Sequence, residues 1–117
     1  MKKGLAVLLL ALAVTLGFSG TVSAQPVHTK QIHPQITVPI YGGSYHPKVL
    51  TVRTGTTVIW VNRARDSHTV TSVNGLFNSG IIRHGGHYGV TFTKTGIYRY
   101  YCTLHPKTMR GTLVVRR

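Results

Sequence analysis

The chain contains a single cysteine, Cys102, in the segment Tyr100-Tyr101-Cys102-Thr103-Leu104-His105-Pro106-Lys107-Thr108-Met109-Arg110-Gly111. An imidazole follows the thiol after three residues, and a thioether follows the imidazole after four more. One tight loop therefore offers a thiolate, an imidazole and a thioether to a single point. Thiolate and thioether select soft metal ions, and imidazole suits copper among others. Two His and one Cys in a trigonal plane with a weak, long axial Met is the donor set of mononuclear copper sites that transfer electrons. The loop holds three of those four donors. His68 is the best candidate for the fourth: it follows a core strand ending at Asn62 and opens the next one, which in a sandwich puts it at the end where the Cys102 loop emerges.

Other readings of these residues are weaker. A lone Cys in a β protein is commonly a small buried hydrophobe, and His68 alone reads as a polar residue at a strand end. It is the combination of Cys102, His105, Met109 and His68 that points to metal. A free thiol in an exported chain with no partner for a disulfide needs a reason such as this one. Arg83-His84-Gly85-Gly86-His87 also places two imidazoles close together, but no Cys, Asp or Glu accompanies them, so the segment reads as an exposed loop. His28, His33 and His46 have no partner motif. Asn62 reads as a structural residue at a strand end. The only carboxylate side chain is Asp66, and Ser67-His68 is a neighbour pair without catalytic geometry, which argues against hydrolysis. A metal closed by four protein donors leaves no position for a substrate, so no enzymatic activity is expected.

The elements that must position these donors read as short strands. Apolar residues alternate in Gln35–Tyr41 and Lys48–Arg53, and again in His87–Thr93. Thr56–Asn62 is a β-branched run around Trp60, Ile97–Cys102 is aromatic, and Gly111–Arg116 closes the chain. Another strand is expected from His68 to Val73. Gly42-Gly43-Ser44, Thr54-Gly55, Asn74-Gly75 and Lys94-Thr95-Gly96 read as turns. No helical period of useful length occurs, and the pattern predicts an all-β, Greek-key β-sandwich.

Met1-Lys2-Lys3, the apolar run Leu5–Leu16 and Val22-Ser23-Ala24 have the charge, length and small-residue pattern of a secretory signal cleaved after Ala24. The run is short for a membrane span. The expected organisation is therefore a signal peptide over 1–24, a loose lead-in over 25–34 and one domain over 35–117, exported to a periplasm or beyond. Fourteen Lys and Arg against one acid give a net charge of +13 with His neutral. Such a field favours acidic protein partners and anionic surfaces. Nucleic acid is not expected, because the basic residues are scattered, no binding motif appears and export removes the chain from the genome. The near absence of carboxylates also leaves little to protonate in acid, which suits an acidic extracytoplasmic setting.

Thr57-Val58-Ile59-Trp60-Val61-Asn62-Arg63 leading to His68-Thr69-Val70, Phe77-Asn78-Ser79-Gly80, Phe92-Thr93-Lys94-Thr95-Gly96-Ile97-Tyr98 and the Cys102 loop together resemble the cupredoxins. The likeness is greatest to the plastocyanin-like and amicyanin-like branch, and it spans roughly residues 36–116. The resemblance implies one type 1 copper held by His68, Cys102, His105 and Met109. It also implies that the Thr69 N–H steadies the sulfur and that His105 is the point through which electrons leave. A mobile carrier of single electrons between extracytoplasmic redox proteins, acting as a monomer, is the implied function. A copper-delivery protein with the same donors is the alternative. Two departures stand out. Three residues separate His105 from Met109, between the two usual in amicyanin-like loops and the four usual in plastocyanin-like ones. Ser67 precedes the first His, where relatives often have Pro.

Overall fold

A computed structural model of the chain describes residues 32–117. The expected signal peptide and most of the lead-in lie outside the described residues. Eight strands follow in order: β1 Gln35–Tyr41, β2 Ser44–Tyr45, β3 Val49–Arg53, β4 Thr56–Asn62, β5 Thr71–Ser72, β6 His87–Phe92, β7 Gly96–Tyr101 and β8 Arg110–Arg116. They form two four-stranded sheets, ordered β2-β1-β4-β6 and β3-β8-β7-β5. Among the described residues there is no helix. The expected all-β sandwich is the fold observed.

Period-2 patterning sets which side chains meet between the sheets. In β4, Val58, Trp60 and Asn62 point inward and are buried, while Thr57, Ile59 and Val61 stay partly exposed. In β8, Leu113 and Val115 do the same from the other layer. Trp60, with no exposed surface, sits at the centre. Its ring lies 5.3 Å from that of Tyr100, edge-on, and 6.1 Å from Phe77, stacked. Two pairings are parallel, β1 with β4 and β3 with β8. The chain therefore crosses between the sheets to form them, an arrangement that alternation alone does not reveal.

Two local differences from the sequence reading have physical causes. Gly42, at φ 56°, allows the tight turn that folds Ser44–Tyr45 back onto β1 as an unexpected short strand. The strand expected over His68–Val73 shrinks to Thr71–Ser72. Upstream of it the backbone donors go elsewhere: His68 makes an isolated bridge to Ile82, Thr69 N–H donates to Cys102 Sγ, and Val70 N–H donates to Ser79 Oγ. The segment gives up ladder hydrogen bonds to serve the Cys102 end of the sandwich.

Gly111 faces Tyr100 across the β7–β8 pair, and the phenol ring folds over it. A methyl group at Gly111 would lie 2.7 Å from Tyr100 Cε2 and nearer still to Cζ and Oη. The ring is buried among Tyr45 and Trp60 and has no room to retreat. Gly111→Ala is expected to destabilise the protein by about 1–3 kcal/mol through overpacking, read as a lower urea midpoint with unchanged slope.

Candidate metal centre

Cys102 is the first residue after β7, and Met109 the last before β8. The loop between them is tied to itself. Cys102 N–H donates to the Met109 carbonyl at 3.0 Å, closing the hairpin one step beyond the ladder. His105 N–H donates to the Cys102 carbonyl at 3.1 Å, and the amides of Thr108 and Met109 both donate to the His105 carbonyl, at 3.2 and 3.0 Å. Two successive turns thus hold Cys102, His105 and Met109 in one compact arc. Cys102 and Met109 have no exposed surface, and His105 is half-buried.

His68 arrives from the other sheet's loops, and Asn62 sets its path. The Asn62 side chain is fully buried at the end of β4. Its Nδ2 donates to the carbonyls of Asp66 and Ile82, at 2.8 and 2.9 Å, and its Oδ1 accepts from Ala64 N–H at 2.8 Å. The residues between β4 and His68 are therefore wrapped around one amide. The backbone of His68 is then fixed by reciprocal bonds to Ile82, 3.1 and 2.7 Å. The structural reading of Asn62 agrees with these contacts.

Thr69 joins the two limbs. Its N–H donates to Cys102 Sγ at 3.3 Å, and its Oγ1 accepts from Thr103 N–H at 2.9 Å. Its carbonyl accepts from the buried Tyr45 hydroxyl at 2.6 Å. Burial, followed by the nearby Cys102 and Tyr100, pushes the Tyr45 hydroxyl far above the ordinary tyrosine range, so it stays a donor. The sequence reading missed Tyr45: it lies 24 residues before Thr69, on the unexpected strand β2, and no local spacing signals the contact.

Three donor atoms converge. His68 Nδ1 lies 3.9 Å from Cys102 Sγ, and His105 Nδ1 lies 3.7 Å from it. All three atoms fall within 4.8 Å of one another, and the two rings are 5.2 Å apart. These S···N separations are longer than a good hydrogen bond. They suit an interposed ion: bonds of about 2.0 Å to nitrogen and 2.3 Å to sulfur, opened by about 120°, would hold the donors about 3.7 Å apart. Met109 is buried at the foot of the same loop. A thiolate with two imidazoles is a soft, nitrogen–sulfur donor set, and no carboxylate is part of it. Among the described residues no other group of three such donors comes together. His84 instead lies 2.8 Å by Nδ1 from the Ala64 carbonyl, and His87 is exposed on β6.

His68 is 1 % exposed. Burial, and then the neighbouring His105, holds its pKa below the ordinary 6.5, with Asp66 and the backbone near Gly42 pulling weakly the other way. The folded state thus favours the neutral imidazole that can bind a metal. The unfolded chain binds the proton more readily, so stability rises with pH across this window. For the metal-free protein, stability contributed by neutral His68 is present above about pH 6.5 and is lost as pH falls through the lower folded value. Thermal melts of metal-free protein from pH 8 to pH 4 are expected to show this decline, and metal-loaded protein is expected to resist it by mass action.

Comparison with known proteins agrees with the fold and with this centre. A family model described as a cupredoxin-like domain matches residues 7–115. The chain is 38% identical to amicyanin of Paracoccus denitrificans, over 68% of this chain and 64% of that protein, and 30% identical to plastocyanin of Prochlorothrix hollandica, over 91% and 88%. It spans less than two thirds of the amicyanin from P. denitrificans and about half, 53%, of that from Paracoccus versutus. Among solved structures, the Cu(I) form of an amicyanin variant superposes with a TM-score of 0.67 at 35% identity, over 74% of this chain and 87% of that one. A copper-containing nitrite reductase from Thermus scotoductus superposes with a TM-score of 0.68 at 31% identity, but the chain covers only 25% of that enzyme. A two-sheet sandwich with a thiolate and two imidazoles meeting at one end, matched along nearly its whole length by the family model, belongs to the cupredoxin-like family.

Proposed function

We propose that the chain is a blue-copper electron carrier, in which His68 Nδ1, Cys102 Sγ and His105 Nδ1 would hold one copper ion and Met109 would serve as a weaker fourth donor. The observation that carries this reading is the spacing of the three donors, 3.7 and 3.9 Å about the sulfur, in a site that pins each of them independently. Copper supplies one-electron oxidation and reduction when bound. The protein's part is to keep the donors where they are. Asn62 and Ile82 fix the His68 limb, the two turns fix the Cys102 loop, and the Thr69 N–H stabilises negative charge on the sulfur. A frame held this firmly relaxes little when the charge at its centre changes.

Cys102 and His68 are buried, and His105 is the donor that reaches the surface, beside Leu104 at 48% exposure. Electrons would enter and leave there. Among the described residues no side chain is poised as a nucleophile with its base, which supports a carrier over an enzyme. The supporting frame for the rest is the sequence: an exported protein with residues 1–24 as a cleaved leader, 25–34 as a lead-in and 35–117 as the domain. It would act as a monomer and pass electrons between redox proteins with acidic surfaces.

The test is copper titration of the purified chain, followed by repeated chemical reduction and reoxidation. An intense visible band that appears at one copper per chain and returns in full after many cycles supports the carrier. Copper that leaves for an apo acceptor during cycling points to delivery instead, and a chain that stays colourless when copper is bound rejects the site.

A further inference from the structure

The two sheets of the sandwich differ in charge. The four strands of the first sheet, β1, β2, β4 and β6, contain no Lys, Arg, Asp or Glu. Those of the second sheet contain four Arg and no acid: Arg53 on β3, Arg99 on β7, and Arg110 and Arg116 on β8. All four are exposed, and alternation sends each of them to the outer side of that sheet. The chain's one acid, Asp66, lies in the loop before His68.

The register fixes how they are arranged. Arg53 pairs with Arg116 at one end of the sheet. Next comes the row Thr51, Val114 and Ile97, then Val49, Thr112 and Arg99. The last row is Arg110, Tyr101 and Thr71, at the metal-centre end. Arg110 lies over the Tyr101 ring, 5.6 Å from its centroid. Val49 and Ile97, at 61% and 58% exposure, form an apolar middle with Val114. Arg110 and Arg116 stand six residue steps apart on β8, about 20 Å along the strand. The face thus has an apolar centre and a rim of guanidinium groups, and one end of it adjoins Cys102 and Met109.

We infer that the outer face of the second sheet docks an acidic protein, whose carboxylates meet Arg53, Arg99 and Arg116 around an apolar contact. The inference names the docking surface of the carrier and in that sense rests on the proposed function. Three observations favour a protein over a diffuse anion. The charges at these positions are all Arg, the side chain suited to bidentate carboxylate contact. They surround apolar residues, as in protein interfaces, which have an apolar core and a polar rim. The strands of the other sheet carry no charged side chain, so the charge borne by the strands lies on one face, where it can orient an encounter as well as speed it.

Three strands of this length present a patch on the order of 20 by 15 Å, the size of a transient contact, so binding should exchange rapidly and suit NMR titration. The probe is cytochrome b5, an acidic haem protein, added to the 15N-labelled full chain in metal-free and Cu(I)-loaded forms at low salt. The metal-free arm keeps this test independent of whether copper binds as proposed. The expected result is salt-sensitive amide shifts on β3, β7 and β8 in both forms. A variant with Arg53→Gln, Arg99→Gln and Arg116→Gln is expected to bind about tenfold more weakly. A control with Arg63→Gln, Arg83→Gln and Lys94→Gln removes the same charge elsewhere and is expected to change binding less than about threefold. Equal losses in the two variants, or shifts centred on the His105 loop with the second sheet silent, overturn the inference. Binding of this face to phosphatidylglycerol vesicles with none to cytochrome b5 also overturns it, in favour of a membrane.

Discussion

Cys102→Ser yields a folded protein that loses the intense visible band and binds copper far more weakly. Serine is close to cysteine in volume, so the buried position stays filled. Its hydroxyl can still accept the Thr69 N–H that now points at the sulfur from 3.3 Å. The fold therefore has little reason to change. The metal has much reason to leave, because a hydroxyl does not ionise as a thiol does and is a hard donor where a soft one is required. Loss of a hydrogen bond behind a metal ligand costs about 10- to 100-fold in affinity, and loss of the ligand itself should exceed that. Competition with a copper chelator gives the affinity, and the visible spectrum gives the colour. An unchanged band in this variant would remove Cys102 from the site.

Asn62→Ala is the second large effect, and it acts without touching the metal. The substitution removes three hydrogen bonds from a side chain with no exposed surface, and it strands Ala64 N–H and the Asp66 carbonyl, while the Ile82 carbonyl keeps only the His68 N–H. A buried polar group left without a partner costs about 1–3 kcal/mol. Partial entry of water offsets some of this, so a loss of about 3 kcal/mol is expected in urea unfolding of the metal-free protein. These contacts also shape residues 63–67 and anchor the segment at Ile82 that bridges to His68. Copper affinity should therefore fall together with stability. A change below about 0.5 kcal/mol, the range of ordinary surface substitutions, would mean that the loop finds its shape without this amide.

The legible and illegible parts of this structure divide along a physical line. β1 and β4 run over the residues that alternation and β-branching assign to them, because a sheet with one face in the core writes its period into the sequence. The segment after His68 carries the same residue types, yet only Thr71–Ser72 form a strand. Side chains and a sulfur take its backbone donors there, a competition that no local pattern records. The meeting of His68 with the Cys102 loop could be anticipated, since both lie at strand ends expected at one pole. The support behind them could not. Tyr45 reaches Thr69 from a two-residue strand made possible by the Gly42 turn, and the parallel pairings arise from crossovers between the sheets. Charge behaves likewise: the basic residues look scattered along the chain, and only the register gathers four Arg onto one face.

The central claim is that one thiolate and two imidazoles hold the metal at the end of the sandwich. Copper K-edge X-ray absorption of the Cu(II)-loaded chain measures this directly. The account predicts a first shell with one short sulfur bond and two nitrogen bonds, at one copper per chain. A first shell of nitrogen and oxygen alone, as surface imidazoles such as His84 and His87 would supply, with the Cys102 thiol still free to react, would contradict it.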